Sequence, residues 1–137
     1  MEIQIDELLK NLKNTYIPSL KEIEEENINL INNIYSNYLM YTQNHENKKI
    51  ALINLKNCHS IDFVKIKLGD YVKYISKKYF YDIELKSGGF VMKKNKASLM
   101  LKNNLGVFTV KSNTNFFRKL TNEELAKIKL IETINTL

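Results

Sequence analysis

The sequence predicts an α+β fold: N-terminal helices, a small five-stranded antiparallel β-barrel and a short C-terminal helix. Three patterns in the 137 residues carry that expectation. Before residue 44, apolar residues recur at spacings of three and four, the period of an amphipathic helix. From residue 61 to 121 the chain turns to short runs with alternate apolar residues, separated by turn formers. Thr121 and Glu124 then stand at capping-box spacing, which opens a last helix.

In order, Ile5, Leu8, Leu9 and Leu12 predict a short helix over residues 3–14. Pro18 disfavours helical geometry at Ile17 and separates it from the next. Ser19 and Glu22 have capping-box spacing, and Glu24, Glu25 and Glu26 suit the positive end of a helix. This second helix is expected from Ser19 to about Gln43, where Leu30/Ile31, Ile34/Tyr35 and Tyr38/Leu39 build one broad apolar face. Asn-His-Glu-Asn-Lys-Lys at 44–49 reads as the turn that ends it. Residues 50–55, IALINL, fit either a strand or a helical turn.

The expected strand runs are IDFVKIKL (61–68), leading into GDYVKYIS (69–76), then YDIELKSGGFVMKK (81–94), ASLMLKN (97–103), GVFTVKS (106–112) and FFRKLT (116–121). Val72 and Tyr74, Ile83 and Leu85, Leu99 and Leu101, and Phe108 and Val110 alternate with polar neighbours. Such alternation suits a half-buried antiparallel sheet with lysines on its other face. Tight links at 95–96, 103–106 and 112–115 make a small SH3-like barrel the expected closure, with Gly88-Gly89 bending its longest strand. Tyr74, Phe90 and Phe108 are expected to fill its core. The divisions are 1–60 (helical, for packing or assembly), 61–121 (basic barrel) and 122–137 (C-terminal helix).

The barrel segment resembles a group of small proteins encoded by large nucleocytoplasmic DNA viruses of the phycodnavirus and mimivirus kind. The matching residues are Gly69, Val72, Lys73 and Tyr74, then Gly88-Gly89-Phe90, Leu101 and Asn103, Phe108-Thr109-Val110, and FFRKLTNEE at 116–124. Arginine is usual in that group where Lys73 stands, and tryptophan-serine where Phe108-Thr109 stand. The likeness covers roughly residues 66–124. It implies a viral origin, an SH3- or Tudor-like barrel, and a place in the host cytoplasm or the virion. It brings no activity with it.

Charge is the main functional signal. The net +6 is uneven: residues 1–64 carry six lysines against nine acidic residues, whereas residues 65–121 carry twelve lysines and one arginine against Asp70, Asp82 and Glu84. Such a basic segment is the footprint of a surface that meets polyanions. Twenty lysines and eighteen asparagines also fit the codon preferences of an AT-rich genome, although that explains the lysines better than the missing acids. The candidate nucleic-acid contacts are Lys73, Lys77, Lys78, Lys93, Lys94 and Lys111, which would neutralise phosphates, with Tyr79 and Tyr81 as rings on which bases stack. The other candidate is the helical face of Ile28, Ile31, Ile34, Tyr35, Tyr38 and Leu39, for docking a protein or a second copy of the chain, if it does not pack internally.

Catalytic and metal chemistry find little support. His45 and His59 are the two histidines, and Cys58 is the single cysteine. Adjacent Cys58 and His59 would point to opposite sides of a strand, which is wrong for a thiolate–imidazolium pair. One cysteine and two histidines do not make a four-coordinate zinc site at any recognised spacing. The expectation is a non-enzymatic binding protein with no cofactor and no membrane span. Its partner would be nucleic acid or, alternatively, another protein of a virion or viral complex.

Overall fold

The computed structural model describes residues 18–36, 42–79 and 82–136, with the side chains of 42–45, 78, 79 and 82 left aside. The expected helix over 3–14, and with it Tyr38, Leu39, Phe80 and Tyr81, lies outside the described residues. Among the described residues the fold is α+β, with three α-helices and a six-stranded antiparallel sheet. In chain order the elements are α1 (Leu20–Ser36), α2 (Thr42–Asn54), β1 (Cys58–Ile61), a 3-10 turn (Phe63–Lys65), β2 (Tyr71–Tyr79), β3 (Asp82–Lys94), β4 (Ser98–Asn103), β5 (Gly106–Lys111), β6 (Phe116–Lys119) and α3 (Asn122–Asn135).

The helix starts follow the capping chemistry of the sequence. The Glu22 N–H donates to Ser19 Oγ at 3.1 Å, and the Leu20 N–H donates to the Glu132 carboxylate of α3 at 3.1 Å. Both oxygens satisfy donors that a helix start leaves without an internal partner. At α3, Thr121 and Glu124 form a complete capping box. The stretch 44–49, expected as a turn, belongs to α2. Gln43, Glu46, Lys48, Lys49, Ala51 and Leu52 are good helix formers, with no glycine or proline among them, and they outweigh the asparagines. The turn comes later, where Asn57 adopts a positive φ of 62° and the Cys58 N–H donates to the Leu55 carbonyl at 2.9 Å. This also resolves residues 50–55 as helix up to Asn54.

The strand order is β1-β6-β2-β3-β4-β5, so the last strand lies between the first and second. The five strands expected after residue 69 all form. The run 61–68 does not extend into a strand, because Phe63–Lys65 turn as a 3-10 helix; the extra strand is Cys58–Ile61, too short to show a period. The sheet is also open: β1 and β5 are its edges and are not paired to each other. It curls nevertheless. The Tyr74 ring on β2 and the Phe108 ring on β5 have centroids 6.1 Å apart. Three strand spacings of about 4.8 Å would hold their backbones about 14 Å apart in a flat sheet.

Two apolar cores lie on the two faces. On the outer face, Ile31, Ile34 and Tyr35 of α1, Ala51 of α2 and Leu55 in the turn after it pack on Cys58, Ile75, Ile83 and Phe117. Inside the curl, Ile66, Val72, Val91, Leu99, Leu101, Val110 and Phe116 pack together. A smaller cluster, Ile23, Leu120 and Ile128, docks α3 against the start of α1. The candidate docking residues Ile31, Ile34 and Tyr35 are therefore core residues, and Ile28 is half-buried beside them.

β3 shows how the curl is made. Val72 pairs with Gly89, and Tyr74 pairs with Lys86, so β3 carries one residue more than β2 over this stretch. A second irregularity between Val91 and Lys93 adds another against β4. Such bulges bend a strand and increase its twist. Gly88 has φ +67°, and a Cβ there would sit 1.8 Å from the Val72 carbonyl oxygen; one at Gly89 would sit 2.5 Å from that of Lys102. The glycine pair is the bend expected of it, and side chains would not fit.

Candidate nucleic-acid interface

The bulge at Gly88 reverses the facing of the later β3 residues. Ile83 and Leu85 point to the helix side, and simple alternation would put Val91 there too and turn Phe90 inward. The extra residue sends Val91 into the inner core and Phe90 out. Phe90 is 54% exposed, a correction to its expected place in the core, whereas Tyr74 and Phe108 do pack against the inner cluster.

The result is a row of side chains across five strands on the outer face, beyond the cover of the helices. Tyr71 pairs with Phe90, Phe90 with Lys102, and Lys102 with Val107. The Tyr71 and Phe90 rings meet edge to face, with centroids 4.9 Å apart and planes at 87°. On the other side of Tyr71, Lys119 Nζ lies 5.9 Å from its ring centroid. The row thus runs Lys119, Tyr71, Phe90, Lys102, Val107: cation, two rings, cation, aliphatic. No acidic side chain belongs to it.

More cations flank the row. A cleft of about 310 Å³ beside Tyr71 is lined by Lys56, Asn57, Cys58, Lys73 and Lys119. Lys73 Nζ donates to the Asn54 carbonyl at 2.8 Å, so α2 holds that ammonium at the cleft. Burial pushes the Cys58 thiol above its ordinary pKa, although the nearby Lys73 and Lys119 ammoniums pull it down. The thiol thus lies beneath the basic face as a neutral group. Strand register also places Lys93, opposite Met100, and Lys111, opposite Ser98, on this outer face.

The expected contact residues therefore divide. Lys73, Lys93 and Lys111 share the face, and exposed Lys77 lies farther along the same side of β2. Lys94 does not: it pairs with Leu99 on the inner side, donates to the Val64 and Ile66 carbonyls at 3.1 and 2.9 Å, and stands 4.9 Å from the Phe63 ring centroid. Its work is to hold the 3-10 turn. Lys78 and Tyr79 belong to β2, with side chains outside the description, and Tyr81 lies outside the described residues. Lys56, Tyr71, Lys102 and Lys119 join the face without having been expected there. The alternation that put Val72 and Tyr74 inside already implied that Tyr71 faces outward.

Two larger clefts lie elsewhere on the described residues. The gap near the β1 edge is a cleft of about 740 Å³, lined by residues that include Glu26, His59, Phe63, Asn113 and Arg118. There His59 Nε2 lies 2.7 Å from Glu26 Oε2. Arg118 is engaged by Glu124 through two contacts of 2.6 Å, which hold the Glu124 carboxyl down to about 2. A more apolar cleft of about 440 Å³ lies between α1 and α2, with Ile28, Leu52 and Ile53 in its wall. Among the described residues no helix is long and apolar enough to cross a membrane. No family model, curated protein or solved structure matches this chain.

Proposed function

We propose that this chain is a non-enzymatic viral binding protein whose basic sheet face contacts nucleic acid with low sequence selectivity. The viral origin rests on the resemblance of residues 66–124 alone. In the same reading the curled sheet is an SH3-like barrel left open between its edge strands. The observation that carries the nucleic-acid reading is the outer-face row. Lys119 and Lys102 flank two rings there, with Lys56, Lys73, Lys93 and Lys111 on the same side and no carboxylate in the row.

Lysine acts at phosphates as a point charge without arginine's planar fork, so affinity would come from charge rather than from base edges. The only arginine, Arg118, is held by Glu124. A fluorescence-anisotropy titration with labelled oligonucleotides at several salt concentrations tests the reading. Log affinity should fall linearly with log salt, by about 0.9 per phosphate contacted on duplex DNA and about 0.7 on single strands. Absence of binding at low salt would remove it, as would tight binding indifferent to salt.

The alternative is a structural or protein-interaction component, and one observation favours it. Phe90, Met92, Leu105 and Val107 expose 50–95% of their surfaces on or beside the same strands. Exposed apolar groups rimmed by lysines also suit a protein partner. Oligonucleotides that fail to bind at low salt would leave this reading standing.

A further inference from the structure

The row on the outer face is more specific than a basic patch, and it deepens the nucleic-acid reading on which it rests. We infer that Tyr71 and Phe90 form a base-stacking platform, so that the face takes single-stranded nucleic acid in preference to duplex.

The first support is where Phe90 sits. A phenylalanine in a sheet this small is ordinarily buried, because burial removes its apolar ring from water. Here a bulge built on Gly88, where any side chain would strike the Val72 carbonyl, turns the ring outward and leaves it 54% exposed. The ring is also held: the edge-to-face contact with Tyr71 at 4.9 Å fixes its orientation against a half-buried neighbour. An exposed ring with a fixed orientation meets a base without a large loss of side-chain freedom.

The second support is the order of the row. The cations stand outside the rings, Lys119 beyond Tyr71 and Lys102 beyond Phe90, on strands three places apart in the sheet. A single strand laid along the row sets a base over the exposed Phe90 ring, which Tyr71 braces edge to face, while its phosphates reach lysines at both ends, the combination that single-strand binding surfaces use. A duplex meets the same face differently. Its bases are stacked on one another, and the outer face offers a sheet surface rather than a helix or ribbon to enter the major groove. It has only phosphates to give.

The test uses the full chain and three labelled probes of about 12 nucleotides: oligothymidylate, oligouridylate and a DNA duplex. The unmodified protein should bind the single strands more tightly than the duplex at equal salt. Phe90→Leu should weaken single-strand binding by about 5- to 150-fold, the span of one base–aromatic stack, and leave duplex affinity within about twofold. Comparison of the two single strands tells DNA from RNA as the preferred ligand. Because the chain has no tryptophan, Phe90→Trp installs a unique reporter whose fluorescence should be quenched by either single strand and not by duplex. Circular dichroism verifies that both variants fold. If the unmodified protein binds and Phe90→Leu changes nothing, or weakens both probe classes alike, the platform is wrong and the phosphate-binding face survives. If no probe binds at low salt, the nucleic-acid reading falls with it.

Discussion

The Asn103 side-chain amide donates to the Gly88 carbonyl at 2.8 Å, and its oxygen accepts from the Leu105 N–H at 2.8 Å. One residue therefore ties the β3 bulge to the β4–β5 turn. A bulge leaves a backbone group without its ladder partner, and an unpaired buried carbonyl is costly. Asn103 supplies that partner and fixes the turn with the same side chain.

Gly88→Ala should destabilise the fold by about 3 kcal/mol or more, because the new Cβ meets backbone rather than a side chain that can move. Gly69 is the control. It also has a positive φ, 88°, but a Cβ there meets nothing within 4 Å, so Gly69→Ala should cost only about 1–2 kcal/mol of backbone strain. Urea denaturation of the two variants measures the contrast. Similar losses would mean that the bulge relaxes around a side chain.

Lys102 and Lys94 lie on neighbouring strands but face opposite sides of the sheet. Lys102→Gln should leave stability within about 0.5 kcal/mol and lower the salt slope on single strands by about 0.7. Lys94→Gln should do the reverse: binding unchanged, and stability reduced by about 1 kcal/mol through loss of its bonds to the Val64 and Ile66 carbonyls. Equal effects on binding would mean that total charge matters and its placement does not.

Acid should loosen the junction of β6 with α3. Hydrogen bonds from Arg118 are the largest cause of the fall of the Glu124 carboxyl from its ordinary 4.5 to about 2. A carboxyl lowered by folding stabilises the fold fully above its unfolded value. That contribution is lost as pH falls from about 4.5 through about 2. The urea midpoint of the unmodified protein should therefore drop across this window, and Glu124→Gln should flatten that part of the profile. The pair is partly exposed, at 22% and 35% for the two side chains, so salt should weaken the effect.

Cys58 should resist thiol–disulfide exchange. It is 1% exposed, and burial raises its thiol pKa against the pull of two lysines. Ellman's reagent should find no reactive thiol in the native protein and one per chain in denaturant. Rapid native labelling would show that β1 opens easily from the edge of the sheet.

The sequence was most legible where period and punctuation agreed. Alternation together with Asn- and Gly-rich turns located β2 to β6, and Thr121 with Glu124 located α3. Cys58–Ile61 escaped because four residues cannot display a period, and their pairing with β6 is a contact far away in the chain. The candidate face was half legible. Lys73, Lys93 and Lys111 follow from charge, but the outward turn of Phe90 depends on one inserted residue that reverses every later side chain. Alternation alone cannot register such a shift, although the glycine pair marked its place.

The position of β6 has a consequence for how the chain is made. Until residues 116–119 emerge during synthesis, β1 and β2 have no strand between them, and each presents an unpaired edge. The first turn of α1 also waits for Glu132, 112 residues downstream, to receive its Leu20 N–H. The β2–β5 meander has all its internal strand pairs before residue 112, whereas both flanks wait for β6 and α3. Ribosome-stalled chains truncated before Phe116 should be protease-sensitive in α1 and β1, and both should become resistant once α3 has left the exit tunnel.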